Sequence, residues 1–104
     1  MVYEFTSTVW RWSSRTDSWF FVTLPQDLSD EIDERVGSKA RGFGSVPVEV
    51  SLGTTTWQTS IFPSKEQAAY VLPLKAAVRD AAGIGEGDEG TFRITVRDLP
   101  SSTG

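Results

Sequence analysis

Phe21-Val22-Thr23-Leu24-Pro25, running into Gln26-Asp27-Leu28-Ser29-Asp30-Glu31-Ile32-Asp33-Glu34-Arg35-Val36 and then Gly37, is the stretch on which the fold turns. Its opening residues are aromatic, β-branched or aliphatic, the composition of a strand. Pro25 has no N–H and a fixed φ, so sheet pairing stops there. Leu28, Ile32 and Val36 then fall four apart, one apolar stripe of an amphipathic helix. Asp27, Asp30 and Glu31 crowd the first turns, where the helix dipole favours anions, and Gly37 is a natural stop. A strand feeding a helix is predicted.

Upstream, residues 2–12 alternate without helical period: Tyr3, Phe5 and Val9 on one face, Thr6, Thr8, Trp10 and Trp12 on the other. A polar cluster at residues 13–17 turns the chain, and residues 19–24 return as the second strand of a hairpin, with aromatics on both faces and therefore both faces at least partly covered. Downstream, a basic, Gly-containing connector (residues 38–45) leads to Val46, Val48, Val50 and Leu52, which alternate with polar residues as a half-buried strand does. Residues 56–62 return from the turn at Gly53, and Tyr70-Val71-Leu72 is a short strand ended by Pro73. Leu74, Ala77, Val78 and Ala81 have helical spacing, with Pro73 near the helix start and Gly83 at its end. Phe92, Ile94 and Val96 mark a last strand, and residues 99–104 read as a flexible C-terminal tail on a single domain of residues 1–98.

The order hairpin, Leu-Pro, amphipathic helix, Gly, strand thus occurs twice, on Leu24-Pro25 and again on Leu72-Pro73. Two such copies suit a mainly β domain with two short helices: a small closed β-barrel with a pseudo-twofold internal repeat, each half completing the other.

Composition narrows the chemistry. The chain of 104 residues has no Cys and no His, which removes disulfides, Cys/His metal sites, Ser–His–Asp and Cys–His catalysis and a histidine pH switch. Its net charge of −4 disfavours a general polyanion binder, so nucleic acid is not the expected partner. No apolar run has the length of a membrane span, and no secretory leader is apparent, so a cytoplasmic location is expected.

Gly42-Phe43-Gly44-Ser45-Val46-Pro47-Val48, Gly53 to Trp57, Thr59-Ser60-Ile61-Phe62-Pro63, Tyr70-Val71-Leu72-Pro73 and Gly83-Ile84-Gly85-Glu86-Gly87-Asp88 follow one another in order, with Trp19-Phe20-Phe21-Val22 upstream. This set, spread over nearly the whole chain, resembles a bacterial family, the domain of unknown function nineteen-oh-five. The resemblance implies a small β-barrel, sometimes joined to a bacteriocin-protection (OmpD-associated) type of domain, and it implies no catalytic residues. A partial likeness, from Leu72-Pro73 to Val96, is to the half-motif of swapped-hairpin transition-state regulators, which bind DNA as dimers. Shared turn mechanics account for that likeness equally well, since a helix end and a tight turn both call for Gly and a short Asp.

The candidate chemistry is that of binding. The carboxylates of residues 27–34 read as a solvated helix face rather than a metal site, and residues 85–90 as a turn rather than a phosphate loop. Gly44-Ser45 is a dipeptide used in self-cleaving pyruvoyl enzymes, and Tyr70 or Lys75 would serve as acid or base if buried; neither signal is specific, and no catalytic residue is assigned. Trp10, Trp12, Trp19 and Trp57 with Arg11, Lys39, Arg41, Lys75 and Arg79 are more suggestive, since Trp and Arg concentrate where a surface recognises a partner. The competing reading makes these tryptophans the core. Trp19, Arg41, Trp57 and Lys75 are the expected ligand-binding residues, placed where the connector meets the start of the second helix, and Trp12 the expected partner contact. A non-catalytic module for a small anionic ligand or a protein partner is the function these residues favour, with no cofactor, no metal and no membrane.

Overall fold

Alternating apolar residues become strands in a computed structural model, which describes residues 2–36 and 44–97. The elements are β1 (Val2–Thr8), β2 (Trp10–Ser13), β3 (Ser18–Thr23), α1 (Gln26–Val36), β4 (Val46–Leu52), β5 (Thr55–Ser64), β6 (Ala69–Pro73), α2 (Ala76–Ala82) and β7 (Glu89–Val96). Seven strands form one sheet in the order β1-β7-β4-β5-β6-β3-β2, antiparallel throughout. The helix stop at Gly37, Arg41 and the tail of residues 99–104 lie outside the described residues.

The inward face of each strand builds the core. Val22, Val48, Val50, Ile61, Leu72, Phe92 and Ile94 are fully buried, and α1 adds Ile32. Phe5 and Phe92, opposite each other across β1 and β7, stack at 5.6 Å. Of the α1 stripe, Ile32 is buried and Leu28 packs partly against the core. Ser29 is buried too, and its Oγ accepts the Tyr70 backbone N–H at 3.0 Å, so a donor on β6 is satisfied by the helix instead of by a strand.

The closed barrel expected from the repeat is not what the chain forms. The sheet is an open, curled half-barrel whose rims, β1 and β2, come to 6 Å of each other without a ladder between them. Val9 is the cause. Residues 2–12, expected as one strand, break there, because Val9 donates its N–H to Asp88 O and accepts from Gly87 N–H, both at 2.9 Å. The chain leaves the β7 ladder at that point and enters the β3 ladder, and β1 and β2 become opposite edges. Ser7 Oγ spans the gap, donating to Thr23 O at 2.9 Å, and Trp10 Nε1 donates to Thr23 Oγ1 at 2.8 Å within the β2–β3 pair.

The halves meet at β3 and β6 in a register that the Leu-Pro pairs do not give. Val22 faces Leu72, Leu24 N–H donates to Tyr70 O at 3.0 Å, and Leu74 N–H donates to Phe20 O at 2.8 Å. Leu24 therefore corresponds to Leu74 rather than to Leu72. Pro25 corresponds to Lys75, each carbonyl accepting the N–H four residues on, from Ser29 and Arg79. Pro73 is the last residue of β6, not a helix starter, and α2 begins only after Lys75. Gly83 ends α2 with φ +67, donating its N–H to Arg79 O in a left-handed conformation that costs glycine nothing.

Tyr70 carries a pH dependence. Burial raises its pKa above the ordinary 10.0, and the Asp33 carboxylate, which accepts from the phenol at 3.4 Å, pushes the same way by charge and hydrogen bond. The folded state therefore holds this proton more tightly than the unfolded chain does. Its stabilisation is complete below about pH 10 and is lost as pH rises from there through the folded value. Denaturant midpoints measured from neutral to alkaline pH should fall less steeply for Tyr70→Phe than for the wild type; identical slopes would refute the coupling. Tyr3, raised by burial and by Glu31, leaves a residual slope in both.

Candidate functional site

Strand alternation decides which aromatics face out. On β3, Phe20 and Val22 belong to the core side, so Trp19 and Phe21 belong to the outer face. Register pairs Trp10 with Phe21 and Trp12 with Trp19 across the hairpin, and Phe62 with Val71 across β5 and β6, placing all of these on that outer face. Trp12, Trp19 and Phe62 are 46%, 52% and 42% exposed. Trp12 and Trp19 are therefore not part of the core, whereas Trp57 packs partly against it, and the outer face of β3 is not covered as expected. Such a cluster of exposed large apolar side chains is where a candidate binding surface is to be sought.

A cleft of about 810 Å³ opens beside this face, bounded by β3, β5, the end of β6 and α2. Trp19, Phe21, Phe62, Pro73 and Leu74 give it apolar walls, Gln58, Thr59 and Ser60 line the β5 side, and Lys75 and Arg79 stand on the helix side. The Arg79 guanidinium lies over the Phe20 ring, 3.8 Å from its centroid, and its Nε donates to Leu74 O at 3.2 Å. These two contacts hold the group flat and leave its terminal nitrogens for a ligand. Neither Lys75 nor Arg79 has an ion-pair partner among the described residues, and Asp17 is the one carboxylate lining the cleft. An unpaired cation pair beside aromatic walls suits an anion that carries a flat apolar body.

Of the residues expected to bind ligand, Trp19 and Lys75 share this cleft, whereas Trp57 does not line it. Trp57 faces Val50 in the ladder and packs partly against the core, so its strand neighbour Gln58 is the one that reaches the cleft. Arg41 lies outside the described residues. Trp12, the expected partner contact, is exposed on β2. Arg79, Phe20 and Phe62 complete the site. Lys75 and Arg79 are four apart, one helical turn, and that spacing is the signal that could have joined them.

Among the described residues no group of three or more Asp and Glu is placed to hold a metal ion, and no helix is long and apolar enough to cross a membrane. A family model described as Domain of unknown function (DUF1905) matches residues 5–94 of the chain. No curated protein matches it.

Proposed function

The chain belongs to the DUF1905 family, whose description names no activity, and we propose that it is a non-catalytic binding module for a small anionic ligand with an aromatic or planar body. The observation that supports this reading is the Arg79 guanidinium, stacked on Phe20 and without a carboxylate partner in a cleft walled by Trp19 and Phe62. Lys75, one turn away, supplies a second cation. A net charge of −4 over the whole chain makes these two a local exception, which directs an anion to the cleft rather than a polyanion to the surface at large.

Titration calorimetry with 2-naphthoate tests the reading. Arg79→Met keeps the apolar length of the side chain and removes its charge, and it should weaken binding by about tenfold to a hundredfold, the usual scale for a charge-assisted hydrogen bond. Lys75→Met should weaken it less, and thermal midpoints confirm that both variants stay folded. Wild-type protein that gives no heat, or an Arg79→Met affinity equal to that of the wild type, would defeat the proposal.

A further inference from the structure

The other side of the Trp19–Phe21 wall has the opposite chemistry. A second cleft, about 350 Å³, is lined by Trp10, Trp12, Trp19, Phe21, Ser64, Glu66 and Val71. Four aromatic side chains line it, and among the described residues its one charged lining group is the Glu66 carboxylate. Ring faces carry negative quadrupole potential, so rings converging beside an anion attract a cation, and best of all one whose own surface is apolar.

The Trp10–Phe21 side of the cage is held in shape by its own bonds. Trp10 packs against Phe21 at 5.0 Å with ring planes 32° apart, and its Nε1 is tied to Thr23 Oγ1, which in turn donates to Gln67 Oε1 at 3.1 Å. Trp12 and Trp19 sit opposite each other in the β2–β3 ladder, yet among the described residues their rings make no contact with each other and neither indole N–H has a partner. The turn after β5 sets Glu66 at the rim: Gln67 N–H donates to Ser64 Oγ at 3.2 Å and Ala68 N–H to Lys65 O at 3.3 Å. Glu66 itself has no hydrogen-bond or ion-pair partner among the described residues. Lys65 lines a different cleft, with Asp30 and Asp33, and so is not its counter-ion.

From this geometry we infer a binding site for a small quaternary ammonium solute, its methyl groups against Trp12, Trp19 and the Trp10–Phe21 pair and its charge facing Glu66. A free solute is preferred to an extended peptide because a cleft of about 350 Å³ takes one compact cation and no run of peptide residues. The inference uses neither of the anionic cleft's cations, Lys75 and Arg79, although Trp19, Phe21 and Val71 wall both clefts, and the anionic cleft uses neither Trp12 nor Glu66.

Choline chloride is the probe, and its uncharged tert-butyl isostere is the control, both titrated at matched ionic strength. The readouts are tryptophan fluorescence and the indole N–H resonances of Trp12 and Trp19. Choline should move both resonances and bind about twofold to fivefold tighter than the isostere, the range for a cation on half-exposed rings. Trp12→Ala should weaken choline by about tenfold and Glu66→Gln by a few-fold. Glu66→Gln should leave the isostere unchanged, and Arg79→Met should leave choline binding intact. Equal affinity for choline and isostere would overturn the inference, as would a choline response that survives both cage substitutions. So would binding of a trimethyl-lysine peptide by a protein that ignores choline. If Trp12→Ala does not fold, Glu66→Gln, on an exposed turn, decides the matter by itself.

Discussion

Phe92→Ala is expected to lower stability by about 3–5 kcal/mol, a large part of the roughly 5–15 kcal/mol that holds a domain of this size together. Phe92 is fully buried on β7, the strand between β1 and β4, and its ring stacks on Phe5. Its removal leaves a cavity bordered by ladders on both sides, and paired strands cannot collapse into it without losing hydrogen bonds. A fall of roughly 15–25 °C in thermal midpoint should accompany the loss. Phe92→Leu keeps most of the volume and should cost about 1–1.5 kcal/mol. Trp12→Ala, which removes a larger but half-exposed side chain, should leave urea midpoints nearly unchanged. A Phe92→Ala loss below about 1 kcal/mol would mean that the core is not centred on this stack.

That contrast shows what could be read from the residues. Val46-Pro47-Val48-Glu49-Val50 announces its buried face by alternation, and Val46, Val48 and Val50 are indeed fully enclosed. Residues 19–24 announce a strand equally well but not which side is covered, because both sides carry aromatics; only the identity of the neighbouring strands decides that Phe20 packs inward and Trp19 outward. The break at Val9 was illegible for a different reason. Nothing in Thr8-Val9-Trp10 departs from strand composition, and the break is made by the turn at Gly87 and Asp88, nearly eighty residues away in sequence, which takes both of Val9's backbone groups. The barrel was therefore expected to close where the folded chain leaves two rims. The two Leu-Pro dipeptides misled in the same way. A proline can close a strand, as Pro73 does, or stand just before a helix, as Pro25 does, and the dipeptide alone does not distinguish these uses. The cleft was half legible: Trp19 and Lys75 were evident, but Arg79 becomes a site residue only when the backbone of β3 brings Phe20 beneath its guanidinium.

Leu72→Ala is the second large effect, at about 2–5 kcal/mol, and it tests how the halves are joined. Leu72 and Val22 are both fully buried and directly opposite in the β3–β6 ladder, flanked by the two hydrogen bonds from Leu24 and Leu74 that run symmetrically between the strands. Packing and hydrogen bonding at this joint are mutually dependent, since the strands hold register only while the two side chains fill the space between sheet and helices. Val22→Ala and Leu72→Ala should therefore not be additive; a double-mutant cycle should give a coupling of about 0.5–3 kcal/mol. The joint also bears on binding. Val71 and Pro73, the chain neighbours of Leu72, point the other way and line the clefts, Val71 both of them and Pro73 the larger. If β6 settles inward over the Leu72→Ala cavity, those two residues are drawn back with it, and affinity for 2-naphthoate should fall even though no residue that touches the probe has changed. Additive stability losses with unchanged affinity would show instead that β3 and β6 are held by their outer neighbours, and that the central pair is only filling.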